Sequence, residues 1–291
     1  MRTYLFVGNR RFVLQKMLEK GLHFAAIGYV ANSHLENDLK SKKLNIEPKL
    51  LKRLENKTQV LEFIKAHTFD VFVSNGCPYI LPLNDLQKAI YINIHPSLLP
   101  DLRGYDPVIG AILFGRDSGA TCHIIDQGVD TGDIIAQVKI KNTKDLDVTT
   151  LYQLSFYAEQ EAFEEALKRD FQPQRKQISQ DNLIEYRRNN ADMVISFNED
   201  NEQIIRKIKA YNNKKIGCSF VCQGHTYKVF HAEIMENPYL LHILDQFDEG
   251  QVAFSYEDSI IFKKDSQVLR FSGIVSLDGS PITLSTILFS K

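Results

Sequence analysis

The sequence lacks an excess of charge of either sign, a long hydrophobic run and a cysteine-rich framework. Its 35 basic and 36 acidic residues nearly cancel, so the composition provides no bulk attraction to nucleic acid or to an anionic membrane. No run approaches the roughly 18 apolar residues of a membrane span. The start, from Met1 to Val7, passes straight into a strand-like segment instead of a signal peptide. We therefore expect a cytoplasmic protein that binds neither nucleic acid nor membranes.

Cysteine is scarce, with four residues in a chain of 291. Each lies in or beside a strand-like apolar run, which predicts buried free thiols. Cys218 and Cys222 have the spacing of two residues on one face of a strand, and no second pair matches them. We therefore predict no metal site.

What the first half does contain is an alternation of strand-like and helix-like segments. The strand-like segments are nearly all apolar, which is typical of a parallel sheet covered by helices on both faces. The predicted strands are 3–7, 24–30, 70–74, 89–94, 121–126 and 134–140, and the predicted helices are 12–18, 60–64, 107–114 and 149–167. Residues 31–57 are polar and lysine-rich without a clear period, and their role stays open. The pattern predicts an α/β fold, a Rossmann-like and mostly parallel sheet, in which ligands bind beyond the carboxyl ends of the strands.

The composition changes in the second half. Residues 171–190 are rich in Gln, Arg, Lys and Asn and contain Pro173, which indicates a linker. A helix is predicted at 200–211, followed by short strand-like pieces over 217–291. We predict that residues 1–190, including the linker, form the first domain, and that residues 191–291 form a smaller, mostly β, OB-like domain.

Three polar side chains lie near predicted strand ends, namely Asn93, His95 and Asp130. Asn93 and His95 alternate with isoleucines, so both side chains point to one face of the strand while the isoleucines face the core. Gly128 and Gly132 flank Asp130 and are expected to give the backbone the freedom to fold this loop over the strand ends. The sequence therefore predicts that an amide, an imidazole and a carboxylate meet in one cleft.

Such a trio suits the transfer of a formyl group to an amine. His95 would act as the base, and an N–H of Asn93 would donate to the oxyanion of the tetrahedral intermediate. Asp130 would orient the imidazole and raise its pKa. Because a single His in a strand or a single Asp in a turn is more often structural, the prediction depends on the combination.

Two stretches resemble the folate-dependent formyltransferases, which include the glycinamide ribonucleotide, methionyl-tRNA and sugar-nucleotide enzymes. They are NIHPSLLPDLRGYDP (93–107) and GATCHIIDQGVDTGDIIAQ (119–137), and the resemblance extends over residues 1 to about 190. It implies that Asn93, His95 and Asp130 are catalytic, that the first domain is the catalytic domain, and that the co-substrate is 10-formyltetrahydrofolate.

The resemblance also implies a donor site in the segment SNGCPYILP (74–82) and in the loop that leads to Asp130. Backbone groups of an irregular loop can bind the edge of a pterin, and apolar side chains can cover it. Without the neighbouring motif, this segment would be interpreted as a hydrophobic turn. The donor-site residues are Gly76, Cys77, Tyr79, Ile80, Leu81, Gly128 and Val129.

The acceptor is predicted from the C-terminal half. Residues 197–234 resemble the start of the β-barrel domain of methionyl-tRNA enzymes and of some sugar enzymes, which argues against the shorter glycinamide ribonucleotide type. A tRNA enzyme needs a basic surface, whereas this chain is neutral. The Asp106-Pro107 pair and the Tyr186-Arg187-Arg188 segment resemble sugar N-formyltransferases. We predict an amine of a nucleotide-linked amino-dideoxy sugar as the acceptor, for surface glycan biosynthesis, with a methionyl-tRNA formyltransferase as the alternative.

Five side chains are candidates for binding the acceptor. Asn9 and Arg10, with the neighbouring Arg11, lie where the first strand meets the first helix, a natural anion site that would hold the nucleotide diphosphate. Arg103 is a second candidate, although pairing with a carboxylate would explain it as well. Tyr105 would stack on a sugar or base. A homodimer through the smaller domain is also expected.

Two other classes of protein fit the sequence less well. A non-catalytic folate sensor would be expected to have lost part of the trio, which is complete here. A dinucleotide-binding oxidoreductase would need a glycine-x-glycine-x-x-glycine loop, and the segment VGNRRF (7–12) does not have it.

Overall fold

The computed structural model describes residues 1–178, 181–213 and 216–289, so residues 179 and 180 of the predicted linker lie outside the described residues. The chain divides into two compact units. The first comprises residues 1–108, 117–141 and 152–186, and the second comprises residues 109–116, 142–151 and 187–291. A domain boundary at residue 190 stays a prediction.

A seven-stranded sheet forms the centre of the first unit, in the order β3-β2-β1-β4-β5-β6-β7. All pairs from β3 to β5 are parallel, and β6 and β7 are antiparallel to their neighbours, so the predicted mostly parallel sheet is confirmed. The strands are β1 Thr3–Gly8, β2 His23–Val30, β3 Leu51–Leu54, β4 Val71–Asn75, β5 Ile90–His95, β6 Ser118–Ile124 and β7 Ile134–Ile140.

Helices alternate with these strands along the chain. The first five are α1 Phe12–Glu19, α2 His34–Lys40, α3 Lys57–Lys65, α4 Pro107–Leu113 and α5 Val148–Lys168. The start of α5 is stabilised by Asp147, whose carboxylate accepts from the backbone N–H of Thr150 at 2.8 Å. Asp147 is therefore the N-cap residue of this helix.

Residues 31–57 contain α2, a short 3₁₀ helix and β3, none of which the sequence predicts. Elements this short hold too few residues to show a period. A buried glutamate holds them together, because Glu36 on α2 accepts from Arg53 Nε on β3 at 2.9 Å and from the backbone N–H of Asn32 at 2.6 Å. Hydrogen bonds from Lys40, Asn32 and Arg53 lower the pKa of Glu36 to about 2.

The two faces of the sheet bury separate apolar clusters. On one face, Phe6, Val73, Ile92 and Ile94 pack with residues of α1 and α5, including Phe163. On the other face, strand residues pack with residues of α3. Along β5 the isoleucines therefore face α1 and α5, as predicted, and the alternate polar residues face the opposite way.

The second unit contains two antiparallel sheets, in the orders β10-β13-β12-β11 and β14-β9-β8, which confirms a smaller, mostly β part. Its further elements are α6 Asn201–Tyr211, β8 Cys218–Cys222, β9 His225–Val229, β10 His231–Met235, α7 Pro238–Leu244, β11 Val252–Tyr256, β12 Ser259–Lys264, β13 Gln267–Ser272 and β14 Val275–Ser276.

The four thiols are free, and Cys122, Cys218 and Cys222 are buried as predicted. Cys77 differs, because it lies in a cleft and is only half-buried.

Candidate active site

A cleft of about 340 Å³ opens at the carboxyl ends of β1, β4 and β5 in the first unit. This is the edge at which a sheet of this class binds its ligands. The cleft is lined by residues 9–10, 74, 76–81, 93–96, 104–107, 123, 125–126 and 128–130.

Asn93, His95 and Asp130 meet in this cleft. Asn93 Nδ2 donates to Asp130 Oδ1 at 3.1 Å, and His95 Nδ1 lies 3.4 Å from Asp130 Oδ2. The predicted convergence of amide, imidazole and carboxylate is therefore present. The catalytic roles of the three side chains stay predictions.

The protonation of His95 follows from its partners. Its Nε2 lies 2.8 Å from the carbonyl oxygen of Leu102, which can only accept, so Nε2 carries the proton. In the neutral ring the free electron pair is then on Nδ1, facing Asp130. Burial lowers the pKa of His95 and outweighs the opposing effect of the Asp130 carboxylate. Asp130 thus raises the pKa of His95, as expected, but burial is the larger effect and the net shift is downward.

Asp130 is ionised at neutral pH. Burial alone would raise its pKa, but the neighbouring imidazoles of His95 and His123 and the hydrogen bond from the Gly104 N–H lower it overall. The Gly104 N–H donates to Asp130 Oδ2 at 2.9 Å. Asp130 itself has a φ of 53°, which turns the loop toward the cleft.

The two glycines beside Asp130 act differently from the expectation. Neither has a positive φ, so they do not supply backbone freedom. They supply space instead, because a Cβ on Gly128 would lie 2.0 Å from Thr131 Oγ1 and a Cβ on Gly132 would lie 1.9 Å from the Ile124 carbonyl oxygen. The physical reason for these glycines is close packing of the loop on itself and on β6.

His123 belongs to the site and is missing from the sequence-based predictions. It faces Asn93 across the β5–β6 pair, and its Nε2 lies 3.3 Å from Asn93 Nδ2 and 3.4 Å from Asp130 Oδ1. Its Nδ1 lies 2.8 Å from the Ile124 carbonyl and therefore carries the proton of the neutral ring. Its position inside the stretch 119–137, which resembles the family, could have indicated a role in the site. Only the register of β6 against β5 places it opposite Asn93.

The contacts of Asn93 bear on its expected role. One N–H of its amide donates to Asp130, and the other points at His123 Nε2. Both donors are therefore engaged within the protein. Asn93 can donate to an oxyanion only when one of these bonds opens.

All seven predicted donor-site residues line the cleft. Ile80 and Val129 are exposed by 56% and 46%, and they form an apolar rim together with Tyr105, which is 60% exposed. Burial raises the pKa of the Cys77 thiol to about 11, so this thiol stays protonated. The lining thus offers apolar cover and backbone groups rather than a nucleophile.

The predicted acceptor residues are only partly in place. Asn9, Arg10 and Tyr105 line the cleft, whereas Arg103 is not among its lining residues. The Arg103 guanidinium donates to Gln177 Oε1, from Nη2 at 2.8 Å and from Nε at 3.2 Å, so the partner that the structure shows for it is an amide.

The arginines of the first loop are each paired with a carboxylate. Arg10 Nε donates to Glu159 Oε2 at 2.7 Å, Arg10 Nη2 contacts the other oxygen, and the Glu159 side chain is fully buried. Arg11 Nη1 lies 3.3 Å from Asp38 Oδ2. Because these charges are compensated, a diphosphate at this loop would be held by individual N–H groups rather than by net positive charge.

Both halves of the chain match known families. The formyl transferase family matches residues 29–167, and the formyl transferase C-terminal domain matches residues 188–289. The chain belongs to the formyl transferase family. Its prediction as a folate-dependent formyltransferase is confirmed at the level of this family.

Curated relatives of this formyl transferase include methionyl-tRNA formyltransferases. One from Janthinobacterium sp. is 28% identical over 234 residues, covering 78% of this chain and 71% of the relative. One from Synechococcus sp. is 43% identical over 91 residues, covering 30% of this chain and 28% of the relative. The second match therefore spans well under a third of that relative's length.

Solved structures share the fold of this formyl transferase over nearly its whole length. WlaRD, a sugar 3N-formyl transferase crystallised with dTDP and 5-N-formyl-THF, aligns with a TM-score of 0.69 and 18% identity, over 96% of this chain and 99% of that one. An N-formyltransferase from Helicobacter canadensis, in complex with folinic acid and dTDP-3-aminofucose, aligns with a TM-score of 0.70 and 16% identity, over 94% and 99%. At these identities the likeness establishes the fold.

Proposed function

We propose that this chain moves the formyl group of 10-formyltetrahydrofolate to the amine of a nucleotide-linked amino-dideoxy sugar. The observation that carries the proposal is the convergence of Asn93, His95 and Asp130 in a single cleft of a formyl transferase fold. The product would serve the biosynthesis of a surface polysaccharide or other glycan.

His95 supplies the base. Its neutral tautomer presents Nδ1 to the cleft side occupied by Asp130, and burial keeps the ring neutral at physiological pH. As the acceptor nitrogen bonds to the formyl carbon, it passes a proton to Nδ1. The imidazolium that forms faces the ionised Asp130 at 3.4 Å, which stabilises its charge. When the oxyanion collapses, the bond from the formyl carbon to N10 of the folate breaks, and N10 takes the proton from Nδ1 as tetrahydrofolate leaves.

Asn93 supplies the donor for the oxyanion. Its amide is fixed between Asp130 and His123, so it is already oriented in the free protein. When Nδ1 of His95 takes up a proton, Asp130 gains a charged donor. The bond from Asn93 then becomes the one that can open toward the negative oxygen.

The residues of the cleft fit the folate donor. A cleft of about 340 Å³ lies within the usual range for small-molecule sites, and its volume is bordered by the irregular segment 76–81. The apolar side chains of Ile80, Leu81 and Val129 would cover flat rings, and backbone groups of the segment would bind the polar edge of a pterin. Two of the structural neighbours were crystallised with reduced folates, which supports the same donor here.

The charges in the cleft support an amino sugar as the acceptor. Asp106, Asp126 and Asp130 line it, and Arg10 is the one other lining side chain with a full charge among the described residues, already compensated by Glu159. Such a lining attracts an ammonium group and leaves the phosphates of a nucleotide toward the rim. The neighbours bound to dTDP and to dTDP-3-aminofucose support a nucleotide sugar.

A methionyl-tRNA formyltransferase is the second candidate, and the names of the curated relatives favour it. Against it stands a formal net charge of −1, since affinity for RNA comes largely from neutralising phosphates with basic side chains.

The test is an acceptor screen with 10-formyltetrahydrofolate. The acceptors are amino sugars linked to dTDP, UDP, GDP and CMP, formylatable methionyl-tRNA, and glycinamide ribonucleotide, with formylation followed by mass spectrometry. Turnover of an amino-sugar nucleotide and not of the tRNA supports the proposal. Turnover of the tRNA alone replaces it with the second candidate.

We further propose a cytoplasmic homodimer that binds neither nucleic acid nor membranes. Among the described residues, no helix is long and apolar enough to cross a membrane.

One face of the β14-β9-β8 sheet exposes Val221, Val275 and Leu277, by 60%, 51% and 58%, and Lys228 on this face donates to the Ile216 carbonyl. This apolar face is the surface we assign to the second copy, and a monomeric mass in light scattering at micromolar concentration would exclude it.

A further inference from the structure

Gln177 joins two loops of the candidate active site. Its Nε2 donates to the carbonyl oxygens of Asp130 and Gly132, at 2.8 Å and 2.7 Å. Its Oε1 accepts twice from the guanidinium of Arg103. One amide therefore binds the backbone on both sides of Thr131 and, at the same time, the loop that follows His95.

The backbone that Gln177 binds is in the left-handed region. Asp130 has a φ of 53°, which is uncommon for residues other than glycine, although Asp adopts it more often than most. The two bonds from Gln177 Nε2 flank this residue and help to hold it there. Loss of these bonds would let the carboxylate of Asp130 move relative to His95.

The same segment of the chain also supports His95. The Ile184 carbonyl accepts from the Leu102 N–H at 2.8 Å, and the Ile184 N–H donates to Asp101 Oδ1 at 2.8 Å. The Leu102 carbonyl is in turn the acceptor that fixes the proton on Nε2 of His95. Residues that the sequence presents as a linker are therefore bonded to both catalytic loops.

We propose that Gln177 is a positioning residue, which holds the Asp130 carboxylate at the distance from His95 that the transfer requires. It touches neither reacting group directly and acts through the backbone of the Asp130 loop. This inference rests on the proposed function for its kinetic consequence, but its structural consequence can be measured without turnover.

Two variants separate the acceptor of the Gln177 amide, which binds Arg103, from its donor, which binds the Asp130 loop. Gln177→Ala removes both sets of bonds, and Gln177→Glu keeps an acceptor for Arg103 while it removes the donor to the loop. Gln172→Ala is the matched control, since Gln172 is an exposed glutamine of the same segment. We expect both Gln177 variants to lose about ten- to a hundredfold in kcat with little change in KM for the folate, because small displacements of a catalytic group have effects of this size.

The readout that a merely structural role would not move is the titration of His95, followed by NMR of its imidazole. Asp130, His123 and Arg10 are the charged or titratable groups that act on this ring. Because Asp130 raises the pKa of His95, its displacement should move the His95 midpoint to lower pH in Gln177→Ala, which adds no charge, and leave it unchanged in Gln172→Ala.

The outcomes are distinct. A His95 midpoint and a kcat equal to wild type in folded Gln177→Ala overturn the positioning role. A shifted midpoint in Gln177→Ala, together with a wild-type protein that formylates none of the acceptors, leaves the positioning role in place and refutes the proposed function. Loss of activity explained fully by a smaller folded fraction, with the midpoint unmoved, also overturns the positioning role.

Discussion

Asn93 and His123 face each other across the β5–β6 pair, with Asn93 Nδ2 at 3.3 Å from His123 Nε2. This contact fixes the plane of the Asn93 amide, because its other N–H already points at Asp130. The antiparallel strands β5 and β6 each supply one side chain of this contact. The contact orients the Asn93 amide, which we propose as the donor to the oxyanion.

His123→Leu should therefore impair both stability and transfer. Loss of the acceptor leaves a buried amide N–H without its partner, which costs about 1 to 3 kcal/mol in the free energy of unfolding. His123→Gln retains an acceptor and should lose less. His34→Leu, at an exposed histidine of the first unit, is the control. Urea unfolding and steady-state rates measure the effects, and equal behaviour of the Leu variants at the two positions would contradict the assigned contact.

His95→Ala should abolish formyl transfer, since it removes the base whose loss typically costs about 10²- to 10⁴-fold in rate. Folate binding should persist, because the segment 76–81 remains intact, and isothermal titration with a non-reactive reduced folate measures it. Retained turnover would refute the assignment of His95. Loss of folate binding together with turnover would show that the side chain has a structural task instead.

Much of this site could be predicted from the sequence because its parts are local. The alternation along β5 predicts that Asn93 and His95 share a face, and the motif predicts the Asp130 loop. His123 and Gln177 could not be predicted in the same way, because their positions depend on the register of β6 against β5 and on where the segment after α5 crosses the sheet. Neither property is visible in the local sequence.

The dependence on the whole fold also explains which physical details the sequence does not show. The charges near His95 are visible as residues, but the extent of its burial depends on the whole fold, and burial decides the direction of its pKa shift. Arg10 appears as a free cation in a sequence, whereas its partner Glu159 lies on a distant helix. Residues 31–57 fold into elements too short to produce a period.

The pH dependence of transfer follows from the lowered pKa of His95. The pKa of His95 is lowered below 6.5, so the base is neutral above that value and is lost as the pH falls through its lowered pKa. Rates should therefore decline only at acidic pH, below 6.5. The same sign applies to stability, because the unfolded chain binds this proton more readily than the folded chain between the two pKa values.

Asp130→Asn should move the His95 titration further toward acid, since the variant removes the carboxylate that raises this pKa. The variant should also be severely slowed, because the imidazolium would lose its neighbouring negative charge. NMR titration of His95 and the rate at neutral pH measure the two effects. A His95 midpoint that stays in place or rises would show that the 3.4 Å contact carries no electrostatic weight in solution, and a wild-type rate would remove Asp130 from the mechanism.

Glu159→Ala should destabilise the first unit strongly. The Arg10 guanidinium would be left beside the cleft without the buried carboxylate that compensates it, and breaking a buried pair costs about 3 to 5 kcal/mol. Glu164→Ala on the same helix is the matched control, because Glu164 forms a more exposed pair with Lys20, and such pairs contribute about 0 to 1 kcal/mol. Urea unfolding of both variants and of Arg10→Met/Glu159→Leu measures the effect, and the double variant should recover most of the loss because no buried charge is left unpaired. Equal costs for the two single variants would contradict a compensated Arg10, and the loop 9–11 would then regain its place as a positively charged site for the diphosphate.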